Sequence, residues 1–534
     1  MMFVDLVIKN SKIITLDSED SIIEAVAVKF GRIVAIGKNS DMNHLIGNKT
    51  EVIDLKGKTM IPGLIDSHGH FMRQGSARKL FIDLSEEAGV TSIADIQHQL
   101  REKASETPTG EWIFGYQEDD SKLLEKRHPT RWELDEASVD HPIIVTTVGG
   151  HFWIANSKAF SNVGVTKTTS DPVGGKFDRD AKTDEMAGGL HEEAYNVLRP
   201  EGSPEPTRKQ AYEGAYQILN ECASVGLTCI YDLVGNNEIR AAIDLKNDTK
   251  LPIRVRMDVT IELFEELDKL GIYRGLGDDW LRICGIKFFF DGAISARTAA
   301  VSEPYLNKPD FYGVMATTKE IASEILTNVY EKGYRISAHA NGDRAIEMYL
   351  DIMEELQKLY PRSDPRNRDI HCTVINDQIV KRIKDLDLLP SIFGPYAYYH
   401  GDKLIPAFGE KRLESMFAAR SFLDAGVKIA AHSDHPCAPF NPLMAIHALV
   451  NRTTKLGKPI GRSQRITVIE ALKLYTIYAA YHSFDENMLG SIEIGKLADM
   501  VVLSDDILTI PPEQIIDVSV EMTILEGEIV YRKQ

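Results

Sequence analysis

The feature that most constrains the fold is a series of eight short apolar runs separated by segments of helical periodicity. The runs lie at 61–68, 227–233, 253–259, 281–290, 334–340, 369–374, 388–393 and 427–434. Helical patterns, for example at 317–333 and 343–360, fill most of the intervals. A strand followed by a helix, repeated eight times, is typical of a parallel barrel. We therefore predict an α/β fold built on a (β/α)8 TIM barrel.

The two ends of the chain have a different texture from the middle. Residues 1–58 and 487–534 are rich in Val and Ile, and glycines and charged pairs punctuate them as in short strands. We predict that they form one small β-sandwich domain, since the termini of a domain often lie close together. The barrel is then expected at 59–71 and 211–486. The long interval 72–210 is predicted to be a large insertion, or lid, after the first barrel strand.

Charge and cysteine usage exclude several classes of protein. The chain of 534 residues carries a net charge of −18, which disfavours binding to nucleic acid or an anionic membrane, since both require a positive face. No apolar run reaches about 18 residues, so no membrane span is expected. The five cysteines are scattered without a CxxC pair, which favours the reducing cytoplasm. The sequence leaves a homodimer open.

Candidate metal ligands stand where the predicted strands end. His68 and His70 close the first run, and on an extended chain residues two apart point the same way. His339, His371 and Asp434 close three later runs. The carboxyl ends of barrel strands converge on the face where active sites lie, and imidazole nitrogen is a common metal ligand. The pattern predicts a metal site at that face.

Lys287 lies in the fourth run, and its surroundings are unusual for a charged side chain. Ile286, Phe288 and Phe289 flank it, and an apolar setting disfavours the protonated amine. A neutral amine can add CO₂ to give an anionic carbamate that bridges two cations. The alternative is a lysine paired with Asp291 or another acid. The residues alone leave these two interpretations open.

Six motifs together resemble the amidohydrolase superfamily, and within it the branch that includes the N-substituted formamide deformylases. They are IPGLIDSHGH (61–70), GGHFWIANSKAF (149–160), IKFFFDGAISARTAA (286–300), SAHANGDRAI (337–346), HSDHPCAPFNPL (432–443) and SIEIGKLADMVVLSDD (491–506). The resemblance implies a metal-dependent TIM barrel with a β-sandwich from both chain ends. It also implies two divalent metal ions, usually zinc, bridged by a carboxylated lysine.

Carried over residue by residue, the resemblance assigns the ligands. His68, His70 and Asp434 would bind the first metal, and His339 and His371 the second. Lys287, with its CO₂-derived carboxylate, would bridge the pair.

Two residues depart from the pattern of the family. Relatives commonly have Glu directly before the fourth histidine, where this chain has Ile370, so the hydrogen bonds around it are expected to differ. His435 stands after Asp434 where a small residue is more usual. It is either an extra substrate contact or a surface side chain.

Two further residues are candidates for substrate binding. His151, in the GGHFW segment of the insertion, either hydrogen-bonds the scissile carbonyl or the substrate, or holds its loop together. Arg297, after the lysine strand, either binds substrate or is solvated. His151 and Asp434 are the predicted catalytic residues.

These features predict a hydrolase that cleaves the C–N bond of a small amide, formamide or cyclic amide with a metal-activated water. Asp434 is expected to act first as base and then as acid. Ring deamination is disfavoured, because Gly342 stands where deaminases of a related branch carry a Glu. The alternatives are a catalytically inactive or regulatory protein with the same fold, and a lyase or isomerase that uses the same metals.

Overall fold

The centre of the molecule is an eight-stranded parallel sheet whose strands follow one another in chain order. The computed structural model describes residues 3–198, 205–306 and 308–534. The barrel strands, one to eight, are Leu64–Gly69, Leu227–Val234, Arg254–Thr260, Leu281–Phe289, Ile336–Ala340, Arg368–His371, Leu389–Phe393 and Ala430–His432. Ser67 Oγ on the first strand donates to the Ala431 carbonyl on the eighth at 2.8 Å, which brings the sheet round on itself. The predicted TIM barrel is confirmed.

Helices separate the strands and cover the outside of the barrel. They are Phe71–Ala77, Arg208–Ser224, Asn236–Asn247, Phe264–Lys269, Lys319–Glu331, Asp343–Leu359, Asp377–Asp385, Tyr396–Tyr399, Gly401–Leu413, Ala419–Asp424, Pro442–Asn451, Val468–Leu474 and Ile477–His482. Capping residues in the sequence mark where helices start. In the helix Lys319–Glu331, for example, the Thr318 side chain accepts a hydrogen bond from the Ile321 amide and caps the amino end. The helices predicted within 317–333 and 343–360 are both present.

Side chains alternate between two environments along the barrel strands. On the third strand Val255, Met257 and Val259 belong to the apolar core between strands and helices. Arg256 and Asp258 alternate with them and are buried, so they point into the barrel interior. The interior of the barrel is therefore partly ionic, and the apolar core lies outside the strands.

The chain ends form two sheets packed face to face. The first has the order Arg32–Gly37, Ala25–Lys29, Leu6–Lys9, Glu51–Asp54, and the second Glu528–Arg532, Val520–Leu525, Met500–Leu503, Thr59–Pro62, Lys12–Ile14, Ile22–Ile23. Residues from both ends, such as Ile8 and Met522, share one buried apolar cluster. One boundary was wrong. Residues 59–62, expected in the barrel, pair with Met500–Leu503, because the apolar run at 61–68 is divided between two sheets.

The insertion contains its own six-stranded sheet. Its order is Gly175–Arg179, Met186–Glu192, Phe152–Ala155, Ile143–Thr147, Ile113–Glu118, Ile82–Asp83, and its helices are Ile93–Glu106, Arg131–Asp135, Ser157–Asn162 and Ala194–Leu198. The helices at its two ends, Phe71–Ala77 and Arg208–Ser224, cross at two glycines. A Cβ on Gly75 would lie 2.2 Å from the Gly214 carbonyl oxygen. This close crossing places the two ends of the insertion side by side.

Of the helices that the structure describes, none combines the length and the apolar composition needed to cross a bilayer. The five cysteines are all buried and reduced.

Candidate metal centre at the carboxyl end of the barrel

The structure brings the six predicted ligands together at the carboxyl ends of the strands. His68 Nε2 lies 3.2 Å from Lys287 Nζ, and His371 Nε2 lies 3.0 Å from His339 Nδ1. The rings of His68 and His371 join these two pairs, with centroids 5.5 Å apart. Residues more than 300 positions apart in the chain thus surround one point in the barrel mouth.

Asp434 joins the first pair of histidines. Its Oδ1 lies 3.4 Å from the Nε2 atoms of both His68 and His70. Burial disfavours the Asp434 carboxylate, but the hydrogen bond and charge of His70, with His432 and Lys287, hold its pKa below the usual value. Asp434 is therefore an ionised carboxylate facing two imidazoles.

The chemistry of this cluster fits a cation. His68, His371 and Asp434 each offer a ligand atom, and these atoms all lie within 4.8 Å of one another. Buried atoms on the same residues, Nδ1 of His68, Nδ1 of His371 and Oδ1 of Asp434, have no hydrogen-bond partner. Such atoms are rare in native proteins unless an ion or a water satisfies them. Burial lowers the pKa of His68 and of His371 well below the usual value, so both rings are neutral, as metal ligation requires.

Lys287 is fully buried at the centre of the cluster. Burial lowers the pKa of its ammonium to about 7, although Asp434 and Asp258 favour the charged form. Asp291 is engaged elsewhere, because its carboxylate accepts from the backbone amides of Ala300, Asn341 and Gly342 at 2.8–2.9 Å. Within the described ranges Lys287 has no ion-pair partner, so a Lys287–Asp291 pair does not form.

Asp66 holds the ends of the first and eighth strands in place. Its carboxylate accepts from the His68 amide at 3.2 Å and from the Ser433 amide at 3.1 Å. The first amide belongs to His68, and the second belongs to the residue directly before Asp434. The buried carboxylate, whose pKa burial raises to about 7, therefore positions His68 and Asp434 through the backbone.

The insertion contributes His151 to the same mouth. The His151 ring lies 5.0 Å from the His339 ring, centroid to centroid. Its Nδ1 lies 2.8 Å from Glu192 Oε2, and the other oxygen of Glu192 accepts from Thr298 Oγ1 at 2.9 Å. Burial disfavours the charged ring, but the Glu192 carboxylate outweighs it and raises the pKa of His151. Among the described residues, no hydrogen bond engages the remaining ring nitrogen, Nε2.

Arg297 is partly buried and takes part in an ion pair. Its Nη2 donates to Asp120 Oδ2 at 2.9 Å, and Lys403 Nζ lies 3.0 Å from Asp119 and 2.5 Å from Asp120. These contacts tie the insertion to the loops after the fourth and seventh barrel strands. The Nε atom of Arg297 is buried without a partner. Its role in substrate binding stays a prediction.

The structure rules out one of the two alternatives for His435, the surface side chain. The side chain is buried and packs between Phe71 and Phe440, with ring centroids 5.6 Å and 4.7 Å away. It is therefore not a surface residue. Ile370, the other departure from the family pattern, is fully buried.

Sequence reasoning missed two residues, Glu192 and His432. The His432 ring is buried, 5.0 Å from the His371 ring and 5.5 Å from the His68 ring. A usable signal existed, because His432 and Asp434 have the same two-residue spacing as His68 and His70. No comparable signal marks Glu192, which lies 41 residues from His151.

Comparison with known proteins agrees with this geometry. Residues 51–531 match the amidohydrolase family. The chain belongs to that family. It is 29% identical to the putative amidohydrolase YtcJ of Bacillus subtilis over 98% of each chain. It is 27% identical to the N-substituted formamide deformylase of Arthrobacter pascens, over 99% of this chain and 98% of that one.

Among solved structures, an uncharacterized metal-dependent hydrolase from Pyrococcus furiosus is similar to this chain. The two are 26% identical with a TM-score of 0.71, over 94% of this chain and 100% of the other. The chain is therefore an enzyme of a family that acts on carbon–nitrogen bonds other than peptide bonds, and its similarity to a metal-dependent hydrolase supports the use of a divalent metal.

Proposed function

We propose that the chain hydrolyses an amide-type C–N bond in a small molecule, such as an amide, a formamide or a cyclic amide. The observation that carries the proposal is the buried group of His68, His371 and Asp434, whose ligand atoms lie within 4.8 Å of one another. The similarity to an N-substituted formamide deformylase over nearly the whole chain supports the choice of substrate class.

We propose that two divalent cations bind in the barrel mouth, with zinc the ion that such imidazole and carboxylate ligands favour. His68, His70 and Asp434 would hold one, His339 and His371 the other, and a carboxylated Lys287 would bridge them. Two observations support the bridging role. Lys287 is completely buried, and its Nζ lies 3.2 Å from His68 Nε2. When bound, such cations lower the pKa of a coordinated water and polarise a carbonyl oxygen.

The proton transfers then belong to Asp434. As a water attacks the amide carbon, Asp434 accepts the proton released when the new C–O bond forms. It returns that proton to the nitrogen as the C–N bond breaks, so that a carboxylic acid and an amine leave. His151 donates from Nε2 to the carbonyl oxygen, where negative charge accumulates, while Glu192 holds Nδ1.

Ring deamination requires an acid to protonate the ring, and the backbone at position 342 argues against one. A Cβ on Gly342 would lie 1.9 Å from the Ala300 carbonyl oxygen. No side chain fits there without moving the backbone, so a glutamate at this position is excluded sterically. We therefore favour cleavage of an acyl–nitrogen bond.

A mixed panel of amides, formamides, lactams, ureas and aminated heterocycles tests the proposal. Zinc-loaded enzyme should release an acid and an amine in equal amounts from at least one amide-type compound, as measured by mass spectrometry. Asp434→Asn, prepared in parallel, should release neither. Ammonia from an aminated heterocycle, with every amide intact, would overturn the proposal.

A further inference from the structure

The amino end of the barrel, opposite the metal centre, carries a cluster of arginines with few acidic partners. Three guanidinium groups lie around the ring of Phe484. The guanidinium carbon Cζ lies 4.0 Å from the ring centroid in Arg366, 4.8 Å in Arg274 and 5.8 Å in Arg335. Arg362 adjoins them and packs on Tyr330 at 3.8 Å. Four cationic side chains therefore share a small volume.

The acidic residues beside this cluster are both committed to one arginine. Arg366 Nη2 lies 2.8 Å from Glu486, and Arg366 Nε lies 3.0 Å from Asp364. Two carboxylates thus face four guanidinium groups. The burial of Arg274 and the like charges of Arg335 and Arg362 lower the pKa of Arg274, as expected for crowded cations. The cluster carries an excess of positive charge.

Arg335 is the member of the cluster whose guanidinium has two nitrogens without a hydrogen-bond partner. It directly precedes the fifth barrel strand, four residues before His339, and is fully buried. Its Nε donates to the Arg366 carbonyl at 2.5 Å, but Nη1 and Nη2 are buried without a hydrogen-bond partner. Among the residues that the structure describes, no carboxylate pairs with it. A buried guanidinium in that state is costly unless an anion or water reaches it.

We propose that this cluster, defined by Arg274, Arg335, Arg362 and Arg366, binds a small dianionic oxyanion of the phosphate or sulfate class. The two terminal nitrogens of Arg335 form a planar fork, which matches two oxygens of an oxyanion better than it matches a single halide. Arg274 is half-buried, so the cluster reaches solvent at the amino end of the barrel through this residue. A dianion balances the two charges that Glu486 and Asp364 leave uncompensated.

Thermal unfolding of the metal-loaded enzyme tests this site. Inorganic phosphate and sulfate should each raise Tm by about 2–5 °C at saturating concentration, whereas sodium chloride of equal ionic strength should not. Arg335→Met should lose the increase. Arg208→Met, a change at an exposed arginine, should keep it.

Two further variants make the result decisive. Arg274→Met removes a half-buried member of the cluster, so it serves if Arg335→Met fails to fold, and it should reduce the increase. Asp434→Asn should keep the increase, which separates this site from phosphate bound at the metal centre. Equal shifts with chloride, or a full shift in both arginine variants, would overturn the proposal. A shift lost only in Asp434→Asn would also overturn it, because the anion would then bind at the metals.

Discussion

Glu192 and His151 form a partly buried pair in which His151 Nδ1 lies 2.8 Å from Glu192 Oε2. Both residues belong to the insertion, but the second oxygen of Glu192 accepts from Thr298, in the loop after the fourth barrel strand. The carboxylate therefore connects the insertion to the barrel and fixes which nitrogen of His151 faces the metal centre. In the proposed mechanism Glu192 is a positioning residue that acts through His151.

Glu192→Gln should lower kcat by about a hundredfold, because the amide neither holds the charged ring nor fixes its orientation. Zinc content and Tm should stay close to the wild-type values. Steady-state kinetics, metal analysis and calorimetry measure these quantities. Glu193→Gln, at the exposed neighbouring position, is the matched control and should retain activity. A loss of zinc in Glu192→Gln would assign the residue to the metal site instead.

Gly292→Ala should have a similar effect by a different route. A Cβ there would lie 2.3 Å from Glu192 Oε1 and 2.2 Å from Thr298 Oγ1, so the carboxylate must move away from His151. We expect a loss of turnover of about tenfold or more with zinc retained. Gly235→Ala, whose new Cβ would meet its nearest neighbour at 3.3 Å, is the control. Unchanged kinetics in Gly292→Ala would show that the position of Glu192 does not matter.

Part of the fold and of the site could be predicted from the sequence, but the contacts of Glu192 could not. The barrel could be predicted because each strand is an apolar run, and the mouth because His68, His339 and His371 lie at or near strand ends. Glu192 could not, since its partner is a loop histidine 41 residues earlier in the chain and its second contact is 106 residues further on. Arg335 appears in sequence as an ordinary polar residue, and only the structure shows that it is fully buried and has no carboxylate partner among the described residues.

The contacts of Arg297 could not be predicted from the sequence either. Its position in a family motif predicts a substrate contact, but sequence contains no sign that Asp120 lies 2.9 Å away. Pairings between an insertion and a loop depend on the folded surface of both. They cannot be derived from the periodicity of either segment.

Lys287→Ala should lose both zinc and turnover. The side chain is fully buried at the centre of the cluster, and in the proposed site its carboxylate bridges the two cations. Short carboxylic acids such as acetate or propionate should restore part of each, since they supply the missing carboxylate. Metal analysis and amide hydrolysis are measured on the same samples. Lys209→Ala, at an exposed position, should behave as wild type. Full zinc occupancy and full turnover in Lys287→Ala would defeat the bridging role.

Lys403→Met should destabilise the contact between insertion and barrel. Lys403 is buried and pairs with both Asp119 and Asp120, so its removal leaves buried carboxylates with fewer partners. Breaking a buried pair costs about 3–5 kcal/mol. We expect a lower Tm in calorimetry and unchanged zinc content. Lys411→Met, at an exposed position in the same helix, is the control. An unchanged Tm would mean that this ionic network does not hold the insertion.

In the proposed function, the converged histidines and Asp434 hold the cations on which hydrolysis depends. The most direct test is a zinc titration of chelator-stripped enzyme, with bound metal and amide turnover measured on the same samples. Turnover should be absent without metal and rise until two zinc ions are bound per chain. The double variant His68→Ala/His371→Ala should bind neither ion and stay inactive. Full turnover in metal-free enzyme, or two tightly bound zinc ions in the double variant, would contradict the account.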